Sequence, residues 1–142
     1  MSIPRIHIVT LGVSDLARSR RFYETLGWKA SSASNEGIVF LKGAAGVLAL
    51  YGRQALAEDA QVDDQPSGFA AISLARNAGS KAEVDQWFNA ALNAGATAIK
   101  SPQEVFWGGY SGYIADPDGH LWELAFNPFF VFDEQGNLAL PD

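Results

Sequence analysis

The sequence predicts an α+β protein built from two tandem βαβββ modules, because one pattern of strand and helix signals occurs twice in 142 residues. The two predicted helices repeat each other: each carries an aromatic pair, Phe22-Tyr23 or Trp87-Phe88, and each is followed by a glycine. The last strands also correspond, since Leu48-Ala49-Leu50 takes the place that Trp122-Glu123-Leu124 takes in the second module. A helix covers only one face of such a sheet, so the two modules pair or leave a cavity over the other face.

The first module is predicted to span about residues 4–51. Apolar alternation predicts a strand over 5–13, and Asp15 or Ser14 can cap the helix that follows. Gly27 ends that helix, because glycine accepts the left-handed conformation common at helix C-termini. Three short strands are then predicted, over 28–33, 37–42 and 46–51.

A polar linker and a second module follow. Residues 52–67 form the predicted linker, with a short helical segment at 53–58. The second module, about 68–127, begins with a predicted strand from Phe69 to Ala75. Ser80-Lys81-Ala82-Glu83 forms a capping box, which starts the second helix. The remaining strands are predicted at 97–100, 104–107, 111–115 and 120–126.

The segment Asp116-Pro117-Asp118-Gly119 combines residues that favour a tight turn. In the strand that follows, successive side chains alternate between the two faces of the sheet. Glu123 therefore lies in the middle of a strand. A charge is unusual there unless that face is exposed to water, the charge is paired with another group, or the residue has a function.

The composition excludes several classes of function. A length of 142 residues suits one or two small domains or one built from two halves, and 48% hydrophobic with 18% charged residues predicts a folded chain with a substantial core. The net charge of −6 disfavours nucleic acid and anionic membranes as partners. No cysteine is present, which excludes disulfides, thiolate nucleophiles and cysteine metal sites. No apolar run reaches membrane-spanning length, and residues 1–13 lack the apolar core of a signal peptide, so a cytoplasmic protein is expected.

Three motifs span almost the whole chain. They are Leu11-x-Val13-x-Asp15-Leu16, Ser19-x-x-Phe22-Tyr23-x-x-Leu26-Gly27 and Asp116-Pro117-Asp118-Gly119-x-x-x-Glu123-Leu124. Together, and in this order, they resemble the vicinal oxygen chelate superfamily of glyoxalases, bleomycin-resistance proteins and extradiol dioxygenases. The resemblance implies a single domain over 1–142, with a cup-shaped mixed β-sheet and the helices packed outside. It does not specify a reaction, because this fold hosts many chemistries and some proteins that only bind.

Metal-dependent members of that superfamily hold a divalent ion at the floor of the cup, with ligands on the first and last strand of each module. Carried over by register, these positions hold Ile8, Ala49, Phe69 and Glu123. Three of the four side chains cannot bind a metal, and such sites need at least three nitrogen or oxygen ligands. We therefore expect no cofactor. The alternative is a divalent metal on Glu123 with His7 or His120, which requires bulges that turn a histidine onto this face.

Without metal ligands, an apolar floor and several aromatic rings remain as candidates for binding a ligand. The predicted ligand-binding residues are Ile8, Thr10, Tyr51, Phe69, Trp107, Tyr110, Tyr113 and Glu123. The alternative for Trp107, Tyr110 and Tyr113 is that they are core residues, with the glycines between them marking bulges. Glu123 has three interpretations: a relic of a metal site, an acceptor for a cationic or hydrogen-bonding ligand group, or a catalytic general base.

We expect a small-molecule binding protein of the resistance or sequestration type that needs no metal. The alternative is an enzyme of the same superfamily, a lyase, isomerase or dioxygenase, that depends on a metal or uses Glu123 as its base. A third possibility is a fold kept for dimeric interaction, with a filled cavity. The apolar tail, 128–142, needs a covering surface, and since superfamily members often dimerise, the resemblance implies a homodimer.

Overall fold

The computed structural model of the protein describes residues 4–65 and 68–142, and in them the βαβββ order occurs twice. The elements are β1 (Ile8–Val13), α1 (Leu16–Thr25), β2 (Lys29–Ala30), β3 (Ile38–Lys42), β4 (Val47–Gly52), α2 (Arg53–Ala60), β5 (Leu74–Ala78), α3 (Lys81–Ala94), β6 (Thr97–Glu104), β7 (Tyr110–Ala115), β8 (Leu121–Phe126), β9 (Val131–Phe132) and β10 (Leu138–Ala139). The predicted α+β class and the two tandem modules are confirmed. Pro66 and Ser67 of the predicted linker lie outside the described residues.

The chain divides into two compact units that follow the modules, except that one turn of the second module is grouped with the first unit. The first unit comprises Met1–Ala71 together with Pro117–His120. The second comprises Ile72–Asp116 and Leu121–Asp142. The turn between β7 and β8 therefore belongs to the first unit, although both of its flanking strands belong to the second.

The sheet of the first unit has the strand order β1-β4-β3-β2, with β1 parallel to β4 and the other pairs antiparallel. Asp15 caps α1 by accepting a hydrogen bond from the Arg18 backbone N–H at 3.0 Å. On one face of this sheet, buried side chains form a core to which α1 adds Phe22 and Tyr23. On the other face, α2 crosses Gly12 so closely that a Cβ there would lie 3.4 Å from the Cα of Arg53.

The sheet of the second unit repeats this plan in the order β5-β8-β7-β6, with β5 parallel to β8. Ser80 accepts a hydrogen bond from the Glu83 N–H at 3.2 Å, and the Glu83 carboxylate accepts one from the Gly79 N–H at 3.0 Å. The predicted start of α3 is thus confirmed. The helix lies over the face that carries Arg76 and Tyr110: the Arg76 guanidinium sits 3.6 Å from the centre of the Trp87 ring, and Tyr110 donates to Asp85 at 2.7 Å.

The predicted strand from Phe69 to Ala75 is wrong, because β5 spans Leu74–Ala78. Phe69 and Ile72 made the earlier segment resemble a strand, yet they are 75% and 62% exposed. The position of β5 is set by its parallel pairing with β8, in which Ala78 lies opposite Phe126. Tertiary pairing here overrides the local apolar pattern.

Other strand boundaries also differ from the predictions. One strand, β6, replaces the two predicted at 97–100 and 104–107, and its pairing with β7 shifts register on both sides of Lys100. Residues 105–109 form a turn closed by a 3.0 Å hydrogen bond from the Val105 N–H to the Gly109 carbonyl. In the first unit, β1 begins at Ile8 and not at residue 5, and β2 is shorter than predicted.

The apolar tail forms a small hairpin in which β9 and β10 pair antiparallel. The Asp133 carboxylate closes its turn by accepting hydrogen bonds from the Gln135 and Asn137 backbone N–H groups, both at 2.9 Å. Phe129 and Val131 in this segment remain largely exposed.

The Asp118 carboxylate organises the contacts of the turn at 117–120. It accepts hydrogen bonds from the Ser14 N–H at 2.9 Å, the Ser14 hydroxyl at 3.0 Å and the Ser19 hydroxyl at 2.7 Å, and Arg18 lies 3.2 Å away. Its side chain is only 8% exposed. Burial by itself would raise the pKa of Asp118, but the hydrogen bonds from Ser14 and Ser19 and the charge of Arg18 outweigh it and lower the pKa.

Replacing Asp118 with Asn should therefore destabilise the protein by roughly 1–3 kcal/mol at neutral pH, because the charge and part of the acceptor capacity are lost. Since the folded-state pKa lies below the unfolded value of about 3.9, this contribution is present above that pH and is lost as the pH falls through the folded-state pKa. Urea unfolding at pH 7 and pH 3 measures both effects. Asp59→Asn, which changes an exposed residue of α2, should lower the free energy of unfolding much less. An equal decrease in the two variants would contradict the role given to Asp118.

Gly112 provides a second test, of the close packing between β6 and β7. A Cβ at this position would lie 2.7 Å from the Lys100 carbonyl oxygen and 2.8 Å from the Pro102 nitrogen, both backbone atoms. Gly112→Ala should cost roughly 1–3 kcal/mol through overpacking. Gly46→Ala should cost much less, since nothing lies within 4 Å of its Cβ position; thermal unfolding of the two variants measures the difference.

Candidate functional site

Each four-stranded sheet has a row of three residues at the middle of the strand that comes last in the chain, β4 or β8, and the three share one face of that sheet. In the first unit, Ala49 of β4 lies opposite Thr10 and Phe40, and we call these three the Ala49 row. In the second unit, Glu123 of β8 lies opposite Ala75 and Tyr113, which together form the Glu123 row. Directly opposed residues of neighbouring strands share a face and touch through their side chains.

The Glu123 row lies on the face of its sheet that is opposite α3. Tyr110 and Arg76 contact α3, and Tyr113 and Ala75 are an odd number of residues away from them, so they point to the other face. Glu123 is thus a carboxylate on the sheet face that this unit's own helix does not cover.

Tyr113 and Glu123 interact directly across β7 and β8. Burial raises the pKa of the Tyr113 phenol, and the negative charge of Glu123 and the hydrogen bond from the Tyr113 hydroxyl to that carboxylate raise it further. Both residues are partly buried. Among residues 4–65 and 68–142, no Lys, Arg or His forms an ion pair with Glu123. A neutral donor, and not a cation, is the partner that this carboxylate has.

The register corrects one of the positions where the family's metal ligands were expected. The helix caps Asp15 and Ser80 correspond, and so do Thr10 and Ala75, each opposite the middle of the last strand. Ile8 lies two residues before Thr10, and the residue two before Ala75 is Ser73. Ser73, and not Phe69, is therefore equivalent to Ile8.

The four carried-over positions therefore hold Ile8, Ala49, Ser73 and Glu123. Two of these side chains have no donor atom, and Ser73 offers only a hydroxyl, so this set does not fit a divalent ion. Throughout the described part of the chain, no three or more His, Asp or Glu residues lie close enough together to hold a metal.

The two histidines lie in different surroundings. His7 precedes β1 and is exposed. His120 belongs to the turn of the first unit, where its Nε2 lies 2.8 Å from the Gly12 carbonyl oxygen. Because a carbonyl only accepts, this nitrogen carries the proton and donates.

The structure brings together only some of the predicted ligand-binding residues. Ile8, Thr10 and Tyr51 share one face of the first sheet, and Tyr113 and Glu123 share one face of the second. Tyr110 lies on the α3 face instead, and the ring of Trp107 packs on the backbone of Gly109, where a Cβ would lie 1.9 Å from it.

Phe69 lies before β5 and outside every strand of the described residues. Sequence reasoning missed Phe40 as the counterpart of Tyr113, and it missed Ser73. Alignment of the two helix caps would have found Ser73, whereas Phe40 needs the strand register.

Comparison with known proteins agrees with this geometry. The family sequence model described as Glyoxalase/Bleomycin resistance protein/Dioxygenase superfamily matches residues 5–124 of this chain. The chain belongs to this superfamily. A glyoxalase-related enzyme from Fulvimarina pelagi is 34% identical to this superfamily member and has a TM-score of 0.88, over 99% of this chain and 100% of the other.

Other relatives are more distant or match a shorter segment. A lactoylglutathione lyase from Agrobacterium tumefaciens is 25% identical, with a TM-score of 0.66 over 89% of this chain and 96% of the other. An uncharacterized protein of Mycobacterium bovis is 48% identical over 42 residues, which are 30% of this chain and 28% of that protein. The chain thus matches less than a third of the length of that relative.

No helix among the described residues is long and apolar enough to cross a membrane. The predicted cytoplasmic location stays a prediction.

The hydrogen bond between Tyr113 and Glu123 can be tested by titrating the tyrosines. In Glu123→Gln, the pKa of Tyr113 should fall toward its usual value, because the negative charge that disfavours the phenolate is gone. Tyrosine-selective ¹³C NMR resolves each phenol. Tyr110 is the internal control: its pKa is raised first by the hydrogen bond to Asp85, so it should respond to Asp85→Asn and not to Glu123→Gln. An unmoved Tyr113 signal would contradict the pairing.

Proposed function

We propose that this superfamily member binds a small organic molecule at the Glu123 row, without a metal, with Glu123 as the polar anchor and Tyr113 as its support. The observation that carries the proposal is the position of Tyr113 directly opposite Glu123 across β7 and β8, on the sheet face opposite α3.

The two rows indicate that the fold itself does not require this polar pair. Phe40 faces Ala49 in the first unit as Tyr113 faces Glu123 in the second. The same strand geometry thus accepts an apolar pair. Placing a carboxylate on a partly buried face costs free energy, so retaining one there favours a role in binding over a role in folding.

The absence of a fitting ligand set supports metal independence. A divalent ion would have Glu123 as its one strong ligand among the four carried-over positions, together with a serine hydroxyl. An organic ligand needs no such set, because a few polar anchors among apolar and aromatic side chains suffice to orient it.

The second candidate is an enzyme in which Glu123 acts as a general base. Tyr113 favours it, since a base is more effective when a neighbour orients it. The likeness to a glyoxalase-related enzyme and to a lactoylglutathione lyase also supports it. Turnover of a substrate that Glu123→Gln abolishes, with the fold intact, would establish the enzyme.

A homodimer is also proposed, on the basis of exposed apolar side chains in the second unit. Phe106 is fully exposed at the tip of the β6–β7 turn, and Phe129, which is 75% exposed, lies with its ring 3.6 Å from the Cβ position of Gly108. Large apolar side chains left this exposed are candidates for contact with a second copy of the chain. Light scattering on the purified protein measures the mass directly.

Metal independence is tested by elemental analysis of untagged protein purified without chelator. Divalent metal should be far below one ion per chain, and the melting temperature should change by less than about 2 °C after EDTA, which corresponds to well under ~1 kcal/mol for a chain of this size. Added Zn²⁺, Ni²⁺ or Mn²⁺ should affect the wild type and Glu123→Gln equally. One tightly held ion per chain, lost with EDTA and absent from Glu123→Gln, would overturn the proposal.

A further inference from the structure

We infer that the group received by Glu123 is an organic ammonium cation, so that the Glu123 row selects amine-bearing ligands over neutral or anionic ones of the same shape. This inference rests on the proposed function and adds the chemical class of the ligand to it.

The first argument is the charge around Glu123 within its own sheet. Its neighbours on the same face are all uncharged; they are Ala75, Asn77, Ser111, Tyr113, Ala115, Leu121 and Ala125. The nearest basic residue in register is Lys100, which lies opposite Tyr113 and so two strands away from Glu123, at about 10 Å. The negative charge therefore has no compensating charge beside it on this face.

The second argument is the unused hydrogen-bonding capacity of the carboxylate. An ionised carboxylate offers about four acceptor positions, and the donor directly opposite Glu123 on β7 is a single hydroxyl, that of Tyr113. A ligand carboxylate would add like-charge repulsion, and an apolar group would remove water from the charge without replacing its hydrogen bonds. An ammonium group supplies donors and the opposite charge together.

The third argument concerns the kind of cation. A metal ion requires several strong ligands, and this face offers one. An organic ammonium needs one carboxylate and gains from an adjacent aromatic ring. Tyr113 is the aromatic residue directly opposite Glu123, and the Cβ atoms of directly opposed residues lie about 5 Å apart. The net charge of −6 further attracts cations.

The test uses three probes of nearly equal size: benzylamine, which is cationic at pH 7, neutral benzyl alcohol and anionic benzoate. Binding is followed by ¹H–¹⁵N NMR titration of the full chain. Benzylamine should shift the backbone amides of β7 and β8 at millimolar concentration, and its affinity should fall about fivefold or more in Glu123→Gln, since a charge-assisted contact is lost. Benzoate should shift none of these amides.

Glu134→Gln is the matched control. Glu134 is exposed in the turn between β9 and β10, so this variant removes the same charge at a site outside the Glu123 row. It should bind benzylamine as the wild type does. The NMR spectrum of each variant also reports whether it is folded.

The outcomes separate this inference from the proposed function. If benzyl alcohol and benzoate shift the same amides as strongly as benzylamine, the face binds small molecules and the inference of a cation is overturned. Equal losses of affinity in Glu123→Gln and Glu134→Gln would also overturn it, because net charge alone would then explain the effect. If none of the three probes shifts any amide of β7 or β8, the inference fails and the proposed binding at this face fails with it.

Discussion

The parallel pairing of the first and last strands in each module is the constraint on which the rest of this structure depends. Two parallel strands cannot be joined by a tight turn, so the chain must cross over between them. In both units a helix begins that crossover and covers one face of the sheet, and antiparallel strands complete it. The middle of the last strand is thereby held opposite the first strand, with alternate side chains on the face that the helix leaves free.

This constraint gives the two modules the same strand order, and individual side chains determine the chemistry of each. Phe40 and Tyr113 occupy the same place beside the last strand of their four-stranded sheets and differ by one hydroxyl. That hydroxyl occurs where the neighbouring strand carries Glu123 and is absent where it carries Ala49. A carboxylate facing a phenol is thus found in the row of one module and not in that of the other.

Much of this fold could be predicted from the sequence, because its signals are local. Asp15 and the Ser80–Glu83 box start the helices as predicted, glycines follow both, and the alternation around Glu123 placed it in mid-strand. The position of β5 could not be predicted in this way. Its residues include the polar pair Arg76-Asn77, and only pairing with β8, more than 40 residues later in the chain, defines them as a strand.

The site was predictable in part for the same reason. Glu123 and Tyr113 were both candidates, but their contact depends on the register between β7 and β8, which no local pattern encodes. Tyr110 is a different case. It lies three residues from Tyr113, so strand alternation alone places the two rings on opposite faces unless a bulge intervenes. The prediction grouped the two tyrosines because both are aromatic. The structure places them on opposite faces of the sheet because an odd number of residues separates them.

The turn at Pro117–His120 has a consequence for how the chain matures during synthesis. Ser14 and Ser19 donate to a carboxylate that lies 104 and 99 residues later in the chain. A nascent chain emerges from the ribosome N-terminus first, so α1 leaves the exit tunnel long before its acceptor exists. The first unit therefore reaches its final set of contacts only when most of the second has been translated. Such late closure raises the contact order of the fold and slows its folding relative to two independent halves.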